Sequence, residues 1–126
     1  MDNNHTDVYN QGFELEINNG GANGFFAVGN GTSFGSAGWS QNLSTGVWYN
    51  YVGVYTGSEV YAYINGVQVG SAAYSGGSLD TGGYDVNIGR DPQYAGDYFD
   101  GSVSGVRIYN RALSSTEVEA LYSSYN

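Results

Sequence analysis

The ten residues YAYINGVQVG, positions 61 to 70, constrain the fold more than any other stretch of the chain. Asn65-Gly66 is the dipeptide that a two-residue type I′ turn favours, because both central residues take positive φ, and the alternating residues on either side supply two strands. The stretch reads as an antiparallel β-hairpin. Alternation sends Ile64, Val67 and Val69 toward a core and turns Tyr61 and Tyr63 the other way. Tyrosine on that second face needs either a cover or something that binds it.

The remaining sequence continues the pattern, with glycine as punctuation. Phe13, Leu15 and Ile17 alternate with Glu14, Glu16 and Asn18, and NNGGANG then turns the chain into FFAVG. Residues 29–46, rich in Gly and Ser, predict a long loop carrying Trp39. VWYNYVGVY and EVYAYI follow as strands joined through TGS. YDVNIG and GSVSGVRIY read as the closing strands, separated by the loop RDPQYAGDYFD that holds the single proline, Pro92. The one predicted helix is C-terminal, where Ser114 and Glu117 make a capping box and Val118, Leu121 and Tyr122 share a face. A chain of 126 residues is the size of one domain. The expected organisation is a polar leader over residues 1–11 and a single all-β domain over 12–126.

Composition removes several functions. Three cationic residues, all arginine, stand against 12 acidic ones, for a net charge of -9. Such a surface repels phosphate backbones and anionic lipid, which argues against nucleic-acid and membrane-surface roles. No apolar run is long enough to span a bilayer, and the first residues lack the basic start and apolar stretch of a secretion signal. Cysteine is absent and His5 is the sole histidine, so a Ser-His-Asp triad and a thiolate or histidine metal site are both improbable. What remains is rich in Gly (21) and Tyr (13), a hydrogen-bonding and aromatic surface suited to neutral polar ligands. Most of the Gly, Asn and Ser are equally explained as turn residues.

Strand register predicts where the tyrosines fall. If TGS is a three-residue loop closing on Tyr55 and Glu59, Val54 opposes Val60, Val52 opposes Ala62, and Tyr51 opposes Tyr63. Tyr49, Tyr51, Tyr55, Tyr61 and Tyr63 then form one aromatic surface with a dent at Gly53. An even-numbered loop would break this surface, since a one-residue slip exchanges the faces. The alternative is that these rings are the second half of a sandwich core or lie packed under loops.

STGVWYNYVGVYTGSEVYAYINGVQVG resembles the W-x-H-V-A-x-x-Y-D-G-x-x-x-x-Y-V-N-G segment of laminin-G-like domains, which have the concanavalin A-like sandwich. VNIGRDPQYAGDYFDGSVSGVRIYNRALSSTEVEALY resembles the ending of the same family. Trp48, Asn65, Gly66, Gly89, Phe99, Gly101, Val106, Arg107, Tyr109, Arg111 and Leu113 fall where its pattern expects them. The resemblance implies a jelly-roll β-sandwich of antiparallel strands with a short C-terminal helix, at an extracellular or cell-surface location. It speaks to fold more than to activity. Ser104 replaces an acidic residue of the family pattern, so calcium is weighed but not favoured, with Asp91, Asp97 and Asp100 as the candidate metal ligands against a solvated acidic loop. Only eleven residues precede the segment matching GFELEIN, where family members carry further strands. A sandwich so shortened would expose sheet edges, which predicts a homodimer or higher oligomer.

The same sandwich carries β-glucanases whose catalytic strand resembles E-x-D-x-E. In ELEIN, Glu14 and Glu16 share a strand face about 7 Å apart, and Asn18 occupies the position of the last acid. An amide neither donates a proton as a general acid nor attacks as a nucleophile, so a degenerate hydrolase is the remote alternative. Glu14 and Glu16 read instead as the polar outer face of a strand that buries Phe13, Leu15 and Ile17, or as part of a groove lining. The expected function is non-catalytic, lectin-like binding of a neutral polysaccharide or glycan. Trp39, Tyr51, Tyr61 and Tyr63 would stack on sugar rings while Asn50, Gln68, Glu14 and Glu16 bond hydroxyls. The alternative is a structural or adhesion module that self-associates through exposed sheet edges.

Overall fold

The computed structural model describes residues 11–80, 85–92 and 95–125. Two three-stranded antiparallel meanders stack face to face. The first holds β1 (Gln11–Asn18), β2 (Asn23–Asn30) and β3 (Phe34–Ser40), and the second β4 (Tyr51–Tyr55), β5 (Glu59–Ile64) and β6 (Val67–Ala73). Helix α1 (Ser115–Ser124) comes last. Ten of the eleven leader residues lie outside the described residues, and Gln11 already opens β1.

The hairpin of residues 61 to 70 forms as read. Ile64 pairs with Val67 across a two-residue turn in which Asn65 has φ 52° and Gly66 φ 78°, the positive values a type I′ turn requires. A bulge between Gln68 and Gly70 shifts the register further along. Ile64 is buried and Val69 packs beside it, whereas Val67 is exposed.

The register between β4 and β5 differs from the expected one by a single residue. Tyr51 faces Ile64, Val52 faces Tyr63, Gly53 faces Ala62, and Val54 faces Tyr61. The reason is loop parity. The Thr56 N–H donates to the Glu59 carbonyl at 3.0 Å, leaving Gly57-Ser58 as an even, two-residue loop. Gly57, at φ 96°, takes the first central position that needs positive φ. The slip separates the tyrosines. Tyr49, Tyr51 and Tyr55 turn inward onto the main core, formed by Phe26, Val28, Ala37, Trp39, Val60, Ala62 and Ile64 between the sheets. Tyr61 and Tyr63 lie on the opposite face with Val52, Val54, Leu113, Val118 and Leu121, beneath α1. The helix is set there by its capping box, in which Ser114 accepts from the Glu117 N–H and the Glu117 carboxylate accepts from the Ser114 N–H.

Residues 34–40, expected to be loop, are strand β3, and Trp39 is buried rather than displayed. Burial alternates along FGSAGWS, with Gly35, Ala37 and Trp39 inside. Small residues hide the pattern but are needed, because a Cβ at Gly35 would lie 2.3 Å from the Tyr74 Cβ. The expected outcome also fails for Phe13 and Leu15, which remain 44% and 43% exposed. The second sheet packs over β2 and β3, so the inward face of the edge strand β1 is only partly covered.

The two closing strands do not form in the described residues. Within YDVNIG, whose Tyr84 lies outside them, and throughout GSVSGVRIY, no strand is present. Among the described residues, the one pairing beyond the named strands is an isolated bridge between Arg90 and Tyr98, flanked by a bond from the Phe99 N–H to the Gly89 carbonyl. A strand needs a second edge to complete its ladder, and none lies alongside residues 101–109 among those described.

Candidate functional site

The tyrosine hydroxyls show how the inward rings are used. The Trp39 Nε1–H donates to the Tyr51 hydroxyl at 2.9 Å, with the rings edge-on at 5.9 Å. The Tyr49 hydroxyl accepts from the Ser44 N–H at 2.9 Å, Tyr55 donates to the Gly77 carbonyl at 3.0 Å, and Tyr74 donates to the Ser33 carbonyl at 3.0 Å. Each ring packs inward; the Tyr49, Tyr55 and Tyr74 hydroxyls pin loops and the Tyr51 hydroxyl meets strand β3, which suits a side chain with an apolar body and a polar tip. Burial pushes the Tyr51 hydroxyl pKa well above the usual tyrosine value; the Trp39 hydrogen bond opposes this, and the carboxylates of Glu16 and Glu14 add to it. Tyr63 is also raised, first by burial and then by Tyr61.

Of the expected ligand-binding residues, Trp39, Tyr51, Tyr61 and Tyr63 therefore do not make one exposed platform. Trp39 and Tyr51 meet in the inter-sheet core, and Tyr61 and Tyr63 pack together at 6.3 Å under the helix. Asn50 closes the hairpin end, its N–H donating to the Asn65 Oδ1 at 2.9 Å. Gln68 is exposed on β6 opposite Tyr63.

The structure assembles a different surface on the outward face of the first sheet. Register places Asn18, Asn23 and Ser40 in one row, Glu16, Phe25 and Gly38 in the next, and Glu14, Ala27 and Ser36 in a third, in which Ala27 is buried. A shallow cavity of about 570 Å³ opens here, lined by Asn18, Asn23, Gly24, Phe25, Ser36, Gly38, Trp39, Ser40 and Val69. Two amides and two hydroxyls surround the half-buried Phe25 ring, and Gly38 beside it leaves room for a ligand. Trp39 lies against Gly24, where a Cβ would come within 2.5 Å of its ring. Sequence reading passed over Asn23, Phe25, Ser36 and Ser40. The usable signal was the same period-two alternation that marks the buried positions, read on its opposite phase.

Glu14 and Glu16 border this face as a hydrogen-bonded carboxyl pair. The Glu14 pKa is pushed up to about 8, first by burial, then by the bond to Glu16 and the charges of Glu16, Asp91 and Asp97. Asp91 and Asp97 belong to the bridged loop, where the Asp91 N–H donates to the Asp97 carbonyl at 3.1 Å, and Asp100 is exposed. Among the described residues, no three His, Cys, Asp or Glu side chains are grouped to hold a metal ion.

Two stacked antiparallel sheets with a short C-terminal helix define a β-sandwich of the concanavalin A-like type. A laminin G model described as Concanavalin A-like lectin/glucanases superfamily matches residues 2–119, and the chain belongs to that superfamily. Among solved structures, it is similar to an S-layer domain-containing protein (residues 221-444) from Clostridium thermocellum, with a TM-score of 0.54 and 21% identity. That match covers 88% of this chain and 63% of the other, so this chain spans less than two thirds of its neighbour. No curated protein matches at a significant level.

Proposed function

We propose that the domain is a non-catalytic sugar-binding module whose site is the outward face of the first sheet. The observation that carries this reading is the open cavity where Asn18, Asn23, Ser36 and Ser40 surround Phe25. A pyranose presents an apolar ring face and a rim of hydroxyls; Phe25 meets the first and the amides and hydroxyls meet the second. Membership of a lectin and glucanase superfamily supports the ligand class. The net charge of -9 favours neutral glycans over polyanions.

Hydrolysis is argued against by the carboxyls themselves. Retaining glycosidases hold two carboxyl groups about 5 Å apart across the scissile bond, whereas Glu14 and Glu16 sit side by side on one strand and the Glu14 carboxyl is largely buried. Asn18 lacks the proton the missing acid would supply. The reading assigns no resident calcium, and an unchanged melting temperature on adding calcium is the expected outcome. The neighbour's description as an S-layer domain-containing protein supports placing the module at a cell surface.

Calorimetry against a panel of neutral polysaccharides tests the reading. Phe25→Ala and Asn23→Ala abolish the heat of binding while circular dichroism stays unchanged. Binding that survives both substitutions, or a panel with no binder, overturns it.

A further inference from the structure

We propose that a second copy of this chain completes the open edge of β1, with residues 103–109 of each copy added as a strand alongside β1 of the other in a two-fold dimer. Among the described residues, β1 is the outermost strand of the first sheet, and its inward-facing Phe13 and Leu15 are left exposed. Residues 103–109 carry the period-two pattern of a strand, with Val106 and Ile108 alternating with Arg107 and Tyr109. Val103, Val106 and Ile108 are at least half exposed and join no sheet among the described residues. Exposed strand edges and apolar rows of this kind are what natural sheets cover.

Charge selects the occupant. Residues 101–112 contain two arginines and no acidic residue, whereas β1 contains Glu14 and Glu16 and no cation. Two copies with a net charge of -9 each repel over most orientations, and this pairing is one that sets positive charge against negative. With Val106 and Ile108 on the face of Phe13 and Leu15, Arg107 falls on the face of Glu16. The donor segment is held away from β1 of its own copy. Leu113, just beyond it, is buried with Val54, Tyr63 and Val118 on the outward face of the second sheet, on the far side of that sheet from β1. An added strand also widens the outward face of the first sheet, next to the proposed sugar groove.

Light scattering at tens of micromolar tests the arrangement. The wild type is expected as a dimer, and Arg107→Glu and Glu16→Arg each as monomers, because either change sets like charges face to face at both contacts. Mixing the two variants restores a dimer, since both contacts become complementary again. The absence of native cysteine permits a second readout that needs no destabilising change. Leu15→Cys and Ile108→Cys proteins, mixed and oxidised, form a covalent dimer in higher yield than a Ser58→Cys control. A monomeric wild type, a dimer indifferent to both charge reversals, or cross-linking no higher than the control overturns the proposal.

Discussion

Residues 34–40, FGSAGWS, and residues 103–109, VSGVRIY, are equally long, and judged by side chain the second is the better strand. It has Val, Ile and Tyr where the first has Gly, Ser and Ala, yet only the first is a strand. The difference lies in the neighbours. β3 has β2 along one edge and β6 packed beneath it, and its small residues let that neighbour approach. A Cβ at Gly70 would meet the Gly38 carbonyl oxygen at 2.3 Å. Residues 103–109 have the pattern without the partner edge. Propensity makes a segment competent to be a strand, and a second edge makes it one.

That contrast predicts unequal sensitivity to mutation. Phe26 fills the space over Gly53, where a Cβ would sit 2.3 Å from its ring. Phe26→Ala should cost about 3–5 kcal/mol in urea denaturation, as removal of a core aromatic does. A loss below about 1 kcal/mol would mean that the stacked meanders are not the stabilising unit.

A second effect comes from β1 and takes the form of pH dependence. Folding raises the Glu14 pKa from 4.5 to about 8, so between those values the native state holds a proton that the unfolded chain has released. Stability from this group is complete below pH 4.5 and is lost as pH rises through about 8. Urea midpoints measured across that window should fall for the wild type, and Glu14→Gln should flatten the slope.

The packing of β3 gives a third. Gly35→Ala brings a methyl group against Tyr74 and should cost about 1–3 kcal/mol by overpacking, measured by the same denaturation. The smallest effect belongs to the strand that does not form. Val106→Ser, in protein dilute enough to be monomeric, should change stability by no more than about 0.5 kcal/mol. A loss comparable to that of Phe26→Ala would show that residues 103–109 are packed within their own copy.

What could be read from the sequence was what is decided locally. The Asn65-Gly66 turn and the Ser114/Glu117 capping box involve residues one to three positions apart, and both stand as read. The Gly57-Ser58 loop is equally short, but its parity was not marked by composition, and one residue of register moved Tyr51 and Tyr55 to the face opposite Tyr61 and Tyr63. The lack of strand structure at 103–109 and the exposure of Phe13 and Leu15 depend on where distant edges end, which no local pattern encodes. The groove around Phe25 was hidden for a related reason. Its Asn, Ser and Gly read as turn residues until pairing aligned them across three strands.

A titration of ¹⁵N-labelled protein with a neutral oligosaccharide, followed residue by residue through amide shifts, tests the central claim most directly. The account predicts saturable shifts at Asn18, Asn23, Phe25, Ser36 and Ser40, with Tyr61, Tyr63 and the helix unmoved. Shifts centred on Tyr61 and Tyr63, or none anywhere in the first sheet, would contradict it.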